Sequence, residues 1–329
     1  MKRGLLLGKF MPFHNGHIAL IDFALQHTDE LEVLVCAHPE EPISGSRRYH
    51  WVKDYYAKIQ AVHVHLADYD PEQLPATSAS SAASAQKWAG WLGEHFPGIS
   101  VFISSEPYGA YVAGYLGIEH LCFDEQRLQV PISATAVRTQ PWKHWAFIPL
   151  LVRPYFVKKI AVVGAESTGK SVLTERLAAH YNTVFVPEAA RDIVDTTRGC
   201  TLADLYSIAE AHANAIVEKT AVANKLLFAD TEITITRSYG HFLFNENIAV
   251  PREVDEANRF DLYLFLETDC SFVQDGTRLE AADRERLNTC HKETFARWGI
   301  AYHTITGTWQ QRFESAVKLI NREFFEEIT

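Results

Sequence analysis

No run of about 20 uninterrupted apolar residues occurs in the chain, so no segment can span a membrane as a helix. Positive charge is also in short supply. Lys and Arg number 31 against 41 Asp and Glu, a formal net charge of −10. Nonspecific binding to DNA or RNA needs surplus cations to displace counterions from phosphates, so no nucleic-acid partner is expected, although a local site for a small anionic nucleotide remains open. The five cysteines, at 36, 122, 200, 270 and 290, contain no C-x-x-C pair. Their odd number and apolar or loop settings fit free thiols in a reducing cytosol better than a disulfide frame or a zinc site. Met1-Lys2-Arg3 followed by Gly4-Leu5-Leu6-Leu7-Gly8 looks superficially like a secretory leader, but its apolar run is too short and no small-residue cleavage site follows. It reads as a first strand, and a cytoplasmic location is expected.

What is present points to two α/β cores. A chain of 329 residues, 47% of them hydrophobic, is long for one core and comfortable for two. Residues 4–8 and 31–37 read as buried strands around a helix at 16–27, the start of an α/β unit. Helix-like patterns follow at 48–57 and 78–94, the latter entered from a Ser/Ala-rich tract, and strands at 62–66, 99–104 and 120–123. A second rhythm begins beyond Pro149 and Pro154. Its strands are expected at 158–163, 183–186, 225–231 and 262–267, and its helices at 171–180, 202–223 and 308–327. The halves do not repeat each other, so two different domains are expected, 1–153 and 154–329, each built on a mainly parallel sheet.

The first candidate site is Gly8-Lys9-Phe10-Met11-Pro12-Phe13-His14-Asn15-Gly16-His17, placed after the first strand, where open α/β sheets bind ligands. Two imidazoles three residues apart converge on one object when a helix begins between them. Gly16 lets backbone approach closely, the helix start offers unpaired N–H groups, and Lys9 adds a mobile charge; the combination suits a triphosphate. The string resembles the G-x-F-x-P-x-H-x-G-H signature of the nucleotidyltransferase superfamily. A second feature of that superfamily, I-S-x-T-x-x-R, is matched by Ile132-Ser133-Ala134-Thr135-Ala136-Val137-Arg138. The resemblance implies that His14 and His17 stabilise the reacting α-phosphate and departing pyrophosphate, with Ser133, Thr135 and Arg138 on phosphate oxygens.

The second candidate site, Gly164-Ala165-Glu166-Ser167-Thr168-Gly169-Lys170-Ser171, satisfies G-x-x-x-x-G-K-[ST] between an expected strand and helix, the setting the motif requires. Its backbone N–H groups can enclose a β-phosphate, Lys170 can bridge β- and γ-phosphates, and Ser171 can ligate Mg²⁺. Asp230 ends an apolar strand as a second metal ligand would, or else serves as a helix cap. Glu188, Arg191 and Asp192 follow a short strand; either Glu188 or Asp192 could take a proton from a sugar hydroxyl. Asp275-Gly276-Thr277-Arg278, followed by Arg284 and Arg286, resembles the mobile lid of small-molecule P-loop kinases, with Arg278 the expected functional member; a solvent-facing helix held by ion pairs is the alternative.

The order of the modules, with Ser104-Ser105-Glu106 before a helix and Trp145-x-x-Ile148-Pro149 leading towards Pro154-Tyr155-Phe156-Val157, resembles the bifunctional NadR family. That resemblance implies an N-terminal Rossmann-like nucleotidyltransferase domain and a C-terminal P-loop ribosylnicotinamide kinase domain. It also implies the substrates nicotinamide riboside, nicotinamide mononucleotide (NMN) and ATP, with Mg²⁺ as cofactor. Glu106, Tyr108 and Trp88 are candidates for substrate contacts at the first site, with Trp91 and Tyr111 as further stacking candidates, and core packing accounts equally well for either tryptophan. Some relatives carry an N-terminal helix-turn-helix repressor domain; with motif chemistry starting at Gly8, its absence is expected here. Alternatives left open are a riboside kinase whose first domain senses a pyridine nucleotide, an adenylyltransferase regulated by its P-loop domain, and an ATP-responsive interaction protein. Assembly as a homo-oligomer is also open.

Overall fold

The computed structural model describes residues 1–70, 74, 82–194, 196–269 and 281–325. The chain divides into two compact units, Met1–Arg153 and Pro154–Thr329.

The first unit contains β1 (Arg3–Gly8), α1 (Asn15–Leu25), β2 (Glu30–Ala37), α2 (Gly45–Tyr55), β3 (Val62–Asp68), α3 (Ala82–His95), β4 (Val101–Ser104), α4 (Tyr108–Leu116), β5 (Glu119–Cys122) and α5 (Ala134–Thr139). Its sheet has the order β3-β2-β1-β4-β5, every neighbouring pair being parallel. The pleat sends alternate residues to opposite faces: Leu5 joins Leu34, Trp88, Phe102 and Val112 in one core cluster, while neighbouring Leu6 is buried on the other face. The chain runs outward from β1 through β2 to β3, then returns to place β4 on the far side of β1. Strand order therefore reverses between β1 and β4, and their carboxyl ends open the crevice in which such sheets bind ligands.

The second unit contains β6 (Lys158–Gly164), α6 (Lys170–His180), β7 (Phe185–Val186), α7 (Leu202–Val222), β8 (Leu226–Asp230), α8 (Ile233–Phe244), α9 (Arg252–Ala257), β9 (Leu262–Leu266), α10 (Ala281–Arg297), β10 (His303–Ile305) and α11 (Trp309–Phe324). Its sheet is ordered β10-β9-β6-β8-β7 and is again parallel throughout. β6 lies between β8 and β9, so the loop leaving β6, the end of β8 at Asp230 and the end of β9 share one edge. Reciprocal caps start two of the helices: Thr201 with Asp204 for α7 and Thr308 with Gln311 for α11, each satisfying two otherwise unpaired N–H groups.

Elements expected from apolar patterning fall within a few residues of the observed ones; α3 is described from Ala82, whereas the expected start at 78 lies outside the described residues. The segment 232–261, to which the sequence reading assigns no element, carries α8. Its first turn, Ile233-Thr234-Ile235-Thr236, is β-branched and has intrinsic strand preference. Burial of all four, together with Ser238 and Gly240, and the Glu232 carboxylate accepting from Thr234 N at 2.8 Å, override that preference. β10 is missed because three residues at a sheet edge carry no readable period. No helix among the described residues is long and apolar enough to cross a membrane.

Candidate active sites

In the first unit, the loop after β1 delivers both histidines to the start of α1. His14 is the N-cap, with extended backbone. Its Nδ1 accepts from Gly16 N at 3.0 Å, and His17 Nδ1 accepts from His14 N at 3.3 Å. The imidazoles thus take the place of the Ser/Glu pair in an ordinary capping box. Because each Nδ1 accepts, the proton of each neutral ring is assigned to Nε2, the atom left to donate. The rings stack with centroids 3.8 Å apart. Burial, with the charge of Arg127 in support, pushes His14 down to about 3, and burial with His14 and Arg127 pushes His17 well below its ordinary value. Both rings are therefore neutral Nε2–H donors at neutral pH.

Ser133 caps α5 by accepting from Ala136 N at 3.1 Å. Arg138 donates Nη1 to the Met11 carbonyl and Nη2 to Thr135 Oγ1 at 3.3 Å. The bond to Met11 joins the two motifs across 127 residues. A cleft of about 410 Å³ at the β1/β4 crevice is lined by Gly8, Lys9, Phe10, His17, Glu106 and Tyr108, and also by Thr135 and Arg138. His14 and Gly16 adjoin it through the capping bonds. Tyr108 keeps a buried hydroxyl without a hydrogen-bond partner. Trp88 does not reach the cleft: it is 0% exposed and packs in the apolar core with Leu5, Leu92 and Val112. Of its two expected roles, core packing holds and substrate contact does not, because the buried face of α3 directs it to the sheet. Trp91 packs at the edge of the same core, and Tyr111 is exposed on α4.

Arg48 escaped the sequence reading. Fully buried on α2, it donates Nη1 to the carbonyls of Lys9 at 2.6 Å and Cys36 at 3.0 Å, and its Nη2 lies 2.5 Å from Glu41 Oε2. Glu41 Oε1 in turn pairs with Lys9 Nζ at 2.9 Å. Burial opposes the charge on Lys9, but the Glu41 carboxylate outweighs it and holds the ammonium above its ordinary value. The arginine thus fixes the loop backbone and, through Glu41, the lysine.

In the second unit the P-loop leaves β6 through Gly164, whose φ of 141° and the Leu266 carbonyl 2.5 Å from any added Cβ require glycine. Thr168 Oγ1 donates to Ala165 O at 2.8 Å, and Lys170 Nζ donates to the same carbonyl at 3.1 Å. A cavity of about 280 Å³ beside the loop is lined by Glu166, Ser167, Lys170, Glu188, Arg191 and Tyr239, among others. Within it, Glu166 Oε1 accepts from Thr197 Oγ1 at 2.6 Å and Tyr239 OH at 3.2 Å. Arg191 bridges Glu188 Oε2 at 3.2 Å and Ser171 Oγ at 2.7 Å.

Asp230 ends β8 beside Ser171. Burial pushes its carboxyl up to about 6, against the pull of Lys170, and its Oδ1 is buried without a hydrogen-bond partner. A buried carboxylate oxygen left open next to the P-loop serine suits a hard cation. Directly after it, Thr231 holds a φ of 74°, a conformation costly for a β-branched residue and found mostly where function demands it. His212 on α7, also unforeseen, is 4% exposed, and burial lowers its pKa to about 4.

Of the two acids proposed as base, Glu188 lines the cavity, whereas Asp192 is exposed at the end of a 3₁₀ turn and is not among its lining residues. The turn thus leaves Glu188 at the cavity and Asp192, expected among the catalytic residues, outside its lining. Arg278 lies outside the described residues. Arg284 is 4% exposed and donates Nε to the Glu166 carbonyl of the P-loop at 2.8 Å, while Arg286 pairs with Asp283 at 3.2 Å on the surface.

A cleft at a strand-order reversal with a double-histidine helix cap, and a P-loop on a second sheet, define a two-domain protein that handles nucleotides at two places. Residues 5–140 match the cytidylyltransferase-like family model and residues 159–312 an AAA domain model. The chain is 28% identical to the trifunctional NAD biosynthesis/regulator proteins NadR of Salmonella typhimurium and Escherichia coli; each alignment covers 98% of this chain and 84% of the relative. Among solved structures, a NadR protein in complex with NR superposes with a TM-score of 0.80 at 20% identity, covering 98% of this chain and 95% of that one. A NadR protein in complex with NAD and AMP-PNP gives 0.78 at the same identity and coverage. Along nearly its whole length the chain is thus similar to NadR proteins of NAD biosynthesis.

Proposed function

We propose that the protein salvages NAD in two ATP-dependent steps, phosphorylating nicotinamide riboside in its second unit and adenylylating the product in its first. The observation that carries this reading is the presence, along a chain similar to NadR over 98% of its length, of two separate clefts, one beside the double-histidine cap and one beside the P-loop.

In the second unit the riboside 5′-hydroxyl attacks the γ-phosphorus of ATP, the bond to the β-phosphate bridging oxygen breaks, and NMN and ADP result. The riboside occupies the cavity between Glu166, Glu188 and Tyr239. Glu188 takes the hydroxyl proton. The P-loop N–H groups and Lys170 hold the phosphates and absorb charge as it shifts to the leaving oxygen. Asp230 and Ser171 would hold Mg²⁺, which when bound screens the polyphosphate. Arg284 and Arg191 keep the loop and Ser171 in register.

In the first unit an NMN phosphate oxygen attacks the α-phosphorus of ATP and pyrophosphate leaves. The nucleophile is already an anion, so no protein base is needed, which agrees with two histidines held neutral. Their Nε2–H groups donate to phosphate oxygens, as do Arg138 and Thr135, and their preorganised dipoles favour the charge that builds on the leaving group. Glu106 and Tyr108 face the acceptor nucleotide. The test is a time course from nicotinamide riboside and Mg-ATP alone. NMN should appear first and NAD follow at its expense; a protein that forms neither compound, although folded and binding ATP, would overturn the reading.

A further inference from the structure

We propose that the indole of Trp309 is the stacking platform for the adenine base of the ATP bound by the second unit. The inference rests on the kinase reading above and extends it to a residue outside the phosphate motif.

In-line phosphoryl transfer puts acceptor and leaving group on opposite sides of the moving phosphorus. The acceptor cavity lies against Glu166, Ser167 and Lys170, so the adenosine must leave the P-loop on its other flank, past Gly169 and the first turn of α6. The surface waiting there is apolar and open. Trp309 is 50% and Val172 54% exposed. Gly169, Val172 and Arg176 share one face of α6 by their spacing. The first touches Trp309, and the last reaches α11 at Gln310 Oε1, 3.3 Å from its Nη2, and at the Phe313 ring, 4.4 Å from its guanidinium. Val172 therefore sits on the α11-facing side yet keeps half its surface in solvent.

The indole is mounted on the phosphate site itself. A Cβ on Gly169 would fall 1.9 Å from the ring, so the ring packs directly on the P-loop backbone. Arg312, 1% exposed, donates to Thr168 O at 2.7 Å, Gly307 O at 2.9 Å and Glu267 O at 3.0 Å and pairs with Asp269. Its guanidinium lies 5.7 Å from the Trp309 ring centroid. One buried arginine thus ties the P-loop, the end of β9 and the start of α11 together beneath the indole. A rigid aromatic surface beside a triphosphate cradle suits a flat base, because stacking needs only a π face and a fixed distance.

Trp309→Ala and Trp309→Phe are compared with wild type in riboside phosphorylation. Loss of one base–aromatic stack corresponds to about 5- to 150-fold in affinity. The Ala variant should therefore raise KM for Mg-ATP within that range while kcat and KM for the riboside move less than about threefold; Phe should restore most of the loss. Inorganic tripolyphosphate, which carries no base, should inhibit wild type and Ala variant equally. An unchanged KM for Mg-ATP, or an equal loss of tripolyphosphate affinity, would overturn the platform and leave the indole as packing for the loop. A fluorescence titration separates this from the choice of acceptor. With no acceptor present, Mg-AMP-PNP should quench an emission component in wild type that Trp309→Phe lacks, whatever the acceptor proves to be; identical titrations would refute the stack.

Discussion

Replacing Arg48 with methionine tests how the first unit holds its nucleotide loop. The substitution keeps an unbranched stem and removes a guanidinium with no exposed surface. Its lost acceptors are the carbonyls of Lys9 at 2.6 Å, Cys36 at 3.0 Å and Ser44 at 3.4 Å, and the Glu41 carboxylate at 2.5 Å. Glu41, with a side chain 9% exposed, keeps only Lys9 Nζ at 2.9 Å and the His38 N–H at 3.1 Å. Breaking a buried pair by removing one partner costs about 3–5 kcal/mol. Lys9 still neutralises the remaining carboxylate, so the lower end, about 3 kcal/mol, applies. For a unit the size of Met1–Arg153, that lowers the melting midpoint by about 6–12 °C. Differential scanning calorimetry reads the first unit's transition, and NMN adenylylation should fall with it because the Lys9 backbone carbonyl loses its anchor. Arg48→Met combined with Glu41→Gln removes both charges and should recover at least about half of the loss. A single variant melting within about 2 °C of wild type, or a double variant losing the sum of the two singles, would refute the reasoning.

Acid should weaken the first unit. His14 falls from 6.5 to about 3 on folding, so the unfolded chain takes up the proton first; stability is intact above pH 6.5 and declines as pH falls towards the folded value, by about 2 kcal/mol between pH 6.5 and 5. Urea midpoints at pH 7.5 and 5 should show at least this slope, and His14→Gln should remove the His14 share while His17 keeps a contribution of the same sign. Gly169→Ala places a Cβ 1.9 Å from Trp309 at a φ of 84°; riboside phosphorylation should drop about 5- to 150-fold, from strain of about 1–3 kcal/mol at the phosphate loop, as steady-state rates would show. Asp230→Asn removes the charge but not the shape of the open oxygen beside Ser171. It should raise the magnesium concentration needed for half-maximal riboside phosphorylation by about tenfold or more, with folding unimpaired by circular dichroism, because burial already disfavours the ionised acid.

Both phosphate motifs were legible because each is local: glycines, histidines and hydroxyls within ten residues bend one loop and cap one helix. That the two strings belong together was also readable, since both occur in the order that the superfamily uses; the bond from Arg138 to the Met11 carbonyl was not. The supports were not. Arg48 reaches Lys9 across 39 residues, Arg284 reaches Glu166 across 118 and Arg312 reaches Thr168 across 144, and no periodicity marks an arginine as buried. Trp88 shows the converse failure. An aromatic residue near a site in sequence can be core or contact, and only the facing of α3 decided for core. Glu188 and Asp192 are four residues apart, and the 3₁₀ turn between them, which has no strong sequence signal, put one at the cavity and the other in solvent.

The central claim is that the chain carries two independent ATP sites, one in each unit. Lys170→Ala and His17→Ala, assayed side by side for NMN formed from nicotinamide riboside and NAD formed from supplied NMN, test it most directly. The account predicts that Lys170→Ala loses the first reaction and keeps the second, and that His17→Ala does the reverse. Loss of both reactions in either folded variant would contradict it.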